Sequence, residues 1–160
     1  MNRESAPFAI RISLEGLAAT ERLGARIAAG LGVGDAVALG GDLGAGKTTL
    51  ARAILTALAV SETMPSPTFT LVQTYETPGL LVRHFDFYRI EDEREIDELG
   101  LDEALDQGAV LIEWPERGAS RLPDDALFVC MTTTGAQSRD AEISGPARWV
   151  SLLSEDHLVR

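Results

Sequence analysis

One stretch of the chain has the residue types and the spacing of a phosphate-binding loop. Gly41 is followed by four residues and then by Gly46, Lys47 and Thr48, which matches the pattern Gly, four residues, Gly-Lys-Thr. Backbone N–H groups of such a loop cradle an anion at the positive end of the following helix, while the lysine reaches the β- and γ-phosphates and the threonine ligates Mg²⁺. We therefore predict a site for ATP and Mg²⁺ contacted by Gly41, Asp42, Leu43, Gly44, Ala45, Gly46, Lys47, Thr48 and Thr49.

Composition gives one residue of this loop particular weight. Lys47 is the only lysine in the chain, and the other 13 of the 14 basic residues are arginines. An ammonium is a compact point charge, whereas a guanidinium is a planar fork. The lysine therefore stands at the one position where a compact charge must fit among phosphate oxygens, which supports the prediction of a nucleotide site.

An apolar segment later in the chain ends in a carboxylate. Residues 109–112 are Ala-Val-Leu-Ile and precede Glu113. A buried strand that ends in an acid is the usual second half of a phosphate-loop site, where the acid reaches Mg²⁺ directly or through water. We predict that Glu113 is the metal-site acid that accompanies the loop.

A second acid lies on a segment of strand type at residues 80–88. The period of two places His84, Asp86 and Tyr88 on one face. We predict that Asp86 lies near Mg²⁺ or the attacking water, with His84 beside it as a hydrogen-bond donor or orienter. The alternative is a hydrogen-bonded polar strip on a sheet face.

The connector at residues 61–67 contains Pro65-Ser66-Pro67 and is predicted to be a loop, because neither proline can donate to a sheet. Two interpretations of Thr68 stay open. The prolines stiffen the connector only, or Thr68 senses the γ-phosphate in the manner of a switch threonine.

The elements around these residues predict the fold class. A strand at residues 36–39 precedes the loop and a helix at residues 50–55 follows it, while residues 69–75 and 80–88 form a predicted hairpin around the turn at residues 76–79. We predict one α/β domain over residues 1–160, a three-layer α/β/α P-loop NTPase-like fold. Its central sheet is mixed, because the hairpin adds an antiparallel pair to parallel strands.

Further elements follow from hydrophobic periodicity. We predict an edge strand at residues 8–14, an amphipathic helix at 17–31, an acidic helix at 91–105, strands at 126–133 and 139–144, and a short helix at 148–153. Cys130 lies within one of the apolar runs and is predicted to be a buried packing residue.

Charge and hydropathy exclude several classes of function. The net charge of −11 disfavours independent binding to nucleic acid, whose phosphate backbone the average surface repels. No apolar run approaches the roughly 20 residues needed to span a bilayer, and the N-terminus lacks a signal-peptide core. We expect a cytoplasmic protein without a membrane partner.

Four blocks of sequence, in this order, resemble the TsaE (YjeE) family. They are residues 41–49, 66–72, 84–89 and 112–116. The resemblance implies a P-loop ATPase of tRNA threonylcarbamoyladenosine biosynthesis that hydrolyses Mg-ATP slowly alone and associates with the TsaB–TsaD complex, with tRNA reached only through those partners.

The resemblance also implies roles for individual residues. Lys47, Asp86 and Glu113 would be catalytic, and Thr48 would join the two acids around Mg²⁺. Trp114 would flank the nucleotide. The alternatives are a small-molecule kinase built on the same loop and a non-catalytic nucleotide-sensing scaffold. A small-molecule kinase usually needs a basic lid over the transferring phosphoryl group, and none is evident in the sequence.

Overall fold

The computed structural model describes residues 8–60 and 71–154, and these contain a seven-stranded sheet with helices on both faces. The predicted loop at 61–67 and the predicted switch residue Thr68 lie outside the described residues. The strands are β1 (Phe8–Glu15), β2 (Ala36–Gly41), β3 (Val72–Thr77), β4 (Leu80–Asp86), β5 (Ala109–Glu113), β6 (Leu127–Thr133) and β7 (Ser138–Gly145). The α-helices are α1 (Leu17–Gly30), α2 (Lys47–Ala57), α3 (Arg94–Leu99), α4 (Leu101–Gln107) and α5 (Val150–Leu153), with 3₁₀ helices at Pro115–Arg121 and Ala147–Trp149.

The sheet is mixed, as predicted. Its strand order is β1-β7-β6-β2-β5-β4-β3. The pairs β2/β5, β2/β6 and β4/β5 are parallel, whereas β3/β4, β6/β7 and β1/β7 are antiparallel. The predicted hairpin is therefore confirmed as β3 and β4, and the predicted edge strand is confirmed as β1. Two further antiparallel pairs, β6/β7 and β1/β7, lie at the far flank, and neither of them is predicted from the sequence.

Two apolar clusters show the three layers. One face of the central strands packs with α1, α2 and α5, through residues such as Leu23, Ile54 and Leu153. The other face packs with α3 and α4, through Ile96 and Leu101. The predicted α/β/α architecture is confirmed. None of the helices within the described ranges is long and apolar enough to cross a membrane.

Two helical predictions need correction or adjustment. The acidic segment at 91–105 is not one helix but α3 and α4, which are separated by Gly100 with φ of 81°. A glycine in the left-handed region ends a helix without a Cβ clash. Near the C-terminus, the predicted helix is a 3₁₀ turn followed by the short α5.

The prediction for Cys130 was wrong, because this residue is exposed. Burial alternates along β6: Val129 is buried and Met131 is buried, whereas Phe128 and Cys130 are exposed. Among the described residues, helices cover only one face of the sheet at this strand, so its apolar run has one buried and one solvated face.

β4 ends at Asp86, two residues before its predicted end. The carboxylate oxygen Oδ1 of Asp86 accepts a hydrogen bond from the backbone N–H of Tyr88 at 2.9 Å. A turn follows at residues 88–89, closed by a hydrogen bond from the backbone N–H of Ile90 to the carbonyl oxygen of Phe87 at 3.0 Å. Tyr88 is therefore not placed by strand alternation, and its side chain is partly exposed at the end of the strand.

Candidate functional site

The predicted phosphate loop connects the end of β2 to the start of α2. Gly41 closes the strand with φ of 127°, and a Cβ there would lie 2.3 Å from the carbonyl oxygen of Met131 on β6. Glycine is required at this position by both its backbone conformation and the neighbouring strand. The loop then reaches α2, whose first residue is Lys47. Backbone N–H groups at the start of a helix lack intrahelical partners and favour an anion, and residues 46–49 at the start of α2 line the cavity described below.

Lys47 is almost fully buried at the centre of the site. Its Nζ donates to the carbonyl oxygens of Gly41 at 2.5 Å and Asp42 at 2.9 Å. The same nitrogen lies 4.0 Å from the ring centroid of Trp114, within the range of a cation–π contact. Burial lowers the pKa of Lys47 below its ordinary value, and nearby carboxylates, Glu113 first, offset part of this effect.

Glu113 joins the loop to the central strand β5. Its Oε1 and Oε2 lie 2.9 and 3.1 Å from the Thr48 hydroxyl, which donates to the carboxylate. The Nε2 of His84 lies 2.8 Å from Oε2. Burial raises the pKa of Glu113, but its hydrogen bonds to His84 and Thr48 and the nearby charges outweigh burial, so the pKa lies below its ordinary value.

Asp86 lies beside Glu113 because the two residues are register partners of the parallel strands β4 and β5. Asp86 is only 4% exposed. Both carboxylates face the cavity over the loop. The structure thus brings the two predicted acids together at the carboxyl ends of adjacent strands, where open α/β sheets bind their ligands.

Trp114 follows Glu113 with φ of 57°, in the left-handed region that non-glycine residues seldom adopt. This conformation leaves the indole at the cavity wall, and the ring of Tyr88 packs against it with centroids 4.9 Å apart. The backbone at this corner thus aims a large aromatic surface at the phosphate loop.

The cavity that these residues form has a volume of about 380 Å³. It is lined by most of the predicted residues, namely Leu43, Gly44, Gly46, Lys47, Thr48, Thr49, Asp86, Glu113 and Trp114. Gly41, Asp42 and Ala45 do not line it. They form the back of the loop: the first two hold Lys47 through their carbonyl oxygens, and Ala45 is buried.

Sequence reasoning missed Arg139, which lies on β7. Its Nε donates to the carbonyl oxygen of Ala45 at 3.1 Å, and the side chain lines the cavity. A second hollow of about 240 Å³ adjoins the cavity, shares Gly46, Thr49 and Arg139 with it, and extends to Leu17 at the start of α1. No local signal could have identified Arg139, since only the pairing of β7 with its neighbours brings it to the loop.

The donor set fits Mg²⁺ bound with phosphate. Thr48 supplies a hydroxyl oxygen, and Asp86 and Glu113 supply carboxylate oxygens, all at the wall of one cavity. Among the residues that the structure describes, no group of three His, Cys, Asp or Glu side chains forms a metal cage. Mg²⁺ in phosphoryl-transfer sites is held by one or two carboxylates together with substrate phosphates and water, so a protein cage is not needed.

Comparison with known proteins identifies the family. The profile described as "Threonylcarbamoyl adenosine biosynthesis protein TsaE" matches residues 14–141. The chain belongs to the TsaE family. The matched range contains every described site residue named above, including Arg139 in the region that the sequence blocks did not cover.

Individual relatives agree with this family assignment. The Bacillus subtilis tRNA threonylcarbamoyladenosine biosynthesis protein TsaE is 36% identical over 124 residues, 77% of each chain. The Haemophilus influenzae protein of the same name is 42% identical over 94 residues, which are 58% of this chain and 60% of that protein. The crystal structure of B. subtilis YdiB matches with a TM-score of 0.76 and 27% identity, and the match covers 95% of each chain.

Proposed function

We propose that this TsaE-family protein binds and hydrolyses Mg-ATP and supports tRNA N6-threonylcarbamoyladenosine modification by associating with the TsaB–TsaD complex. The observation that carries the ATPase part is the bond between Thr48 on the phosphate loop and Glu113 at the end of β5, beside the buried Lys47. This arrangement joins an anion site to a metal-site acid, as phosphoryl-transfer enzymes require.

The described residues suggest how ATP lies in the site. Phosphates would occupy the cavity over the start of α2, where Lys47 exchanges carbonyl partners for phosphate oxygens. The nucleoside would extend past Arg139 into the hollow beside Leu17, which is 60% exposed and offers an apolar surface for a base. The Arg139 guanidinium stands between the two spaces and adds positive charge there.

Hydrolysis needs charge stabilisation and an oriented water. Bound Mg²⁺ would neutralise developing charge on the phosphate oxygens. Thr48 and Glu113 would hold it, with Glu113 acting directly or through water. Asp86 faces the same cavity, so it would share the metal or accept a hydrogen bond from the attacking water.

Association with TsaB–TsaD is proposed from family membership and from the surface around the site. Leu43 on the loop is 83% exposed and Tyr88 is 44% exposed, and both line the cavity. Large apolar side chains at the mouth of a nucleotide site allow a partner to sense what is bound there. The net charge of −11 favours tRNA contact through the partners.

Thr68 stays a predicted switch-like residue whose role the partner experiment tests. If ATP favours the partner-bound form, linkage requires the partner to raise ATP affinity by the same factor, and a coupling of about 1–3 kcal/mol equals roughly 5- to 150-fold. Thr68→Ala should reduce that factor and leave ATP binding to the isolated protein largely intact.

The test combines titration with phosphate release. ATP affinity would be measured with and without the TsaB–TsaD pair, for the parent and for Thr68→Ala, and inorganic phosphate would be followed in single turnover. We expect slow release that the pair stimulates. Transfer to an added small-molecule acceptor would indicate the kinase instead, and nucleotide binding without any phosphate release would indicate the sensing scaffold.

A further inference from the structure

His84 contacts Glu113, whereas the sequence pattern placed it beside Asp86. His84 is 2% exposed, and its Nε2 lies 2.8 Å from the Oε2 of Glu113. In the parallel pairing, His84 is opposite Leu111 and Asp86 is opposite Glu113. The imidazole therefore reaches diagonally across the sheet, from β4 to the end of β5, on the face that carries both acids.

The hydrogen bonds of Glu113 distinguish its two oxygens. Thr48 lies within bonding distance of both, at 2.9 Å from Oε1 and 3.1 Å from Oε2. His84 contacts Oε2 alone. An ionised carboxylate accepts at about four lone-pair positions, so Oε1 keeps the larger unused accepting capacity and can face the cavity.

We propose that His84 is a positioning residue for Glu113, which it holds by Oε2 so that Oε1 and the Thr48 hydroxyl present their free lone pairs to the metal. This inference rests on the proposed Mg-ATP function and goes beyond it, because it assigns a residue that touches neither nucleotide nor metal. A carboxylate can only accept hydrogen bonds, so Nε2 of His84 carries the proton that is donated.

The physical reason for such a residue is the freedom of a glutamate side chain. Without the His84 donor, the carboxylate of Glu113 keeps only the rotatable hydroxyl of Thr48 among its two observed side-chain partners. Partners that orient a metal-binding side chain typically contribute 10- to 100-fold in metal affinity or activity. The loss should appear in metal binding and should spare the phosphate contacts of Lys47.

The experiment compares two substitutions and a matched control. His84→Gln keeps an N–H donor near the Nε2 position, and His84→Met keeps volume but removes the donor. Phe85→Leu is the control, because Phe85 is fully buried on the opposite face of the same strand and packs in the other apolar cluster. Each variant would be titrated with Mn²⁺ in complex with a non-hydrolysable ATP analogue, with free Mn²⁺ measured by electron paramagnetic resonance.

The same proteins would also be titrated with the analogue in the presence of EDTA. We expect His84→Met to weaken Mn²⁺ binding about 10- to 100-fold, with metal-free analogue affinity unchanged. His84→Gln should recover most of the loss, and Phe85→Leu should leave Mn²⁺ affinity at the parent value. The inference is overturned if folded His84→Met binds Mn²⁺ as the parent does, if His84→Gln is as impaired as His84→Met, or if metal-free analogue affinity falls equally.

A measurement on the parent protein avoids dependence on the folding of any variant. Histidine ¹⁵N resonances should show a proton on Nε2 of His84, and Glu113→Gln should shift that signal. An Nδ1–H tautomer would contradict the inference. Failure of the parent to bind the analogue at all would instead contradict the proposed function, so the two failures are distinguishable.

Discussion

The centre and one flank of the sheet are built on different principles. The parallel strands β2, β4 and β5 are covered by helices on both faces, and all five residues of β5 are buried. In the flank formed by β1, β7 and β6, the described helices cover one face, so buried and exposed side chains alternate along β6. The central strands supply the two predicted metal-site acids at their ends, whereas the flank supplies Arg139 to the cavity wall.

The central strands bring three of the predicted site residues together, because the carboxyl ends of parallel strands lie at one edge of the sheet. β2 ends in Gly41, β4 in Asp86 and β5 in Glu113. Parallel pairing places these three ends side by side, next to the first turn of α2. From the flank, β6 packs its backbone against Gly41 through Met131, and β7 contributes the side chain of Arg139 to the cavity wall.

Among substitutions at the centre and the flank, we expect Lys47→Ala to cause the largest loss of ATP affinity and turnover. A charge-assisted contact contributes about 1.5–3 kcal/mol, which corresponds to a loss of roughly 10- to 150-fold in ATP affinity, and turnover should disappear. Affinity and phosphate release are the measurements, and circular dichroism would show that the fold is kept. Normal ATPase activity of Lys47→Ala would contradict the prediction that this loop binds the phosphates of ATP. As a control on accessibility, Mg-ATP should slow amine-directed labelling of this single lysine.

Substitution of the two strand-end acids should give an effect of a different kind. Glu113→Gln and Asp86→Asn remove negative charge but keep shape, so hydrolysis and Mg²⁺ dependence should fall more than nucleotide binding. ATP titrations with and without Mg²⁺, combined with phosphate release, check this expectation. Variants that hydrolyse ATP normally with unchanged Mg²⁺ dependence would show that neither carboxylate serves the metal.

Neighbouring residues of β6 test the one-sided covering of the flank. Val129 is 1% exposed in the larger apolar cluster, whereas Cys130 faces solvent. We expect Val129→Ala to lower the free energy of unfolding by about 1–3 kcal/mol and Cys130→Ser to change it by less than about 0.5 kcal/mol. Urea unfolding measures both. Equal losses would mean that both faces of this strand are buried.

Arg139 is expected to contribute less than Lys47, because its guanidinium is partly exposed and bonded to the loop backbone. Arg139→Met should weaken ATP binding by less than about tenfold, in line with the modest energies of exposed charge pairs. Arg11→Met is the matched control: Arg11 lies on the same flank and pairs with Glu142 on the surface. Equal effects of the two substitutions on ATP affinity would place Arg139 outside the site.

The smallest effect concerns acid stability. The pKa of Glu113 lies below its ordinary value of 4.5, because its hydrogen bonds outweigh burial. A carboxyl group with a lowered folded-state pKa stabilises the fold above its unfolded-state pKa, and that contribution is lost as pH falls through the folded-state pKa.

Below the ordinary value, the unfolding free energy of the parent should therefore fall more steeply with acidification than that of Glu113→Gln. Urea denaturation of both proteins at a series of pH values, from neutral to below the ordinary pKa of glutamate, would measure how steeply each unfolding free energy falls. Parallel slopes would indicate that Glu113 titrates alike in the folded and unfolded chain.

Much of the site was determined by local sequence. The strand before the glycine-rich segment and the helix after it, the buried strand that ends at Glu113, and the hairpin around residues 76–79 were each predicted and are each present. Local signals succeed there because steric limits on backbone angles and the burial of apolar runs act over a few residues.

The tertiary structure alone decided which distant residues meet. The order of the strands places Arg139 in contact with Ala45, 94 positions away in sequence. The register of β4 against β5 places the His84 side chain in contact with that of Glu113. One-sided covering of β6 exposed Cys130, which its apolar surroundings had suggested was buried. Strand pairing and layer coverage depend on non-local packing, and the pattern of residues along a single strand does not encode its neighbours.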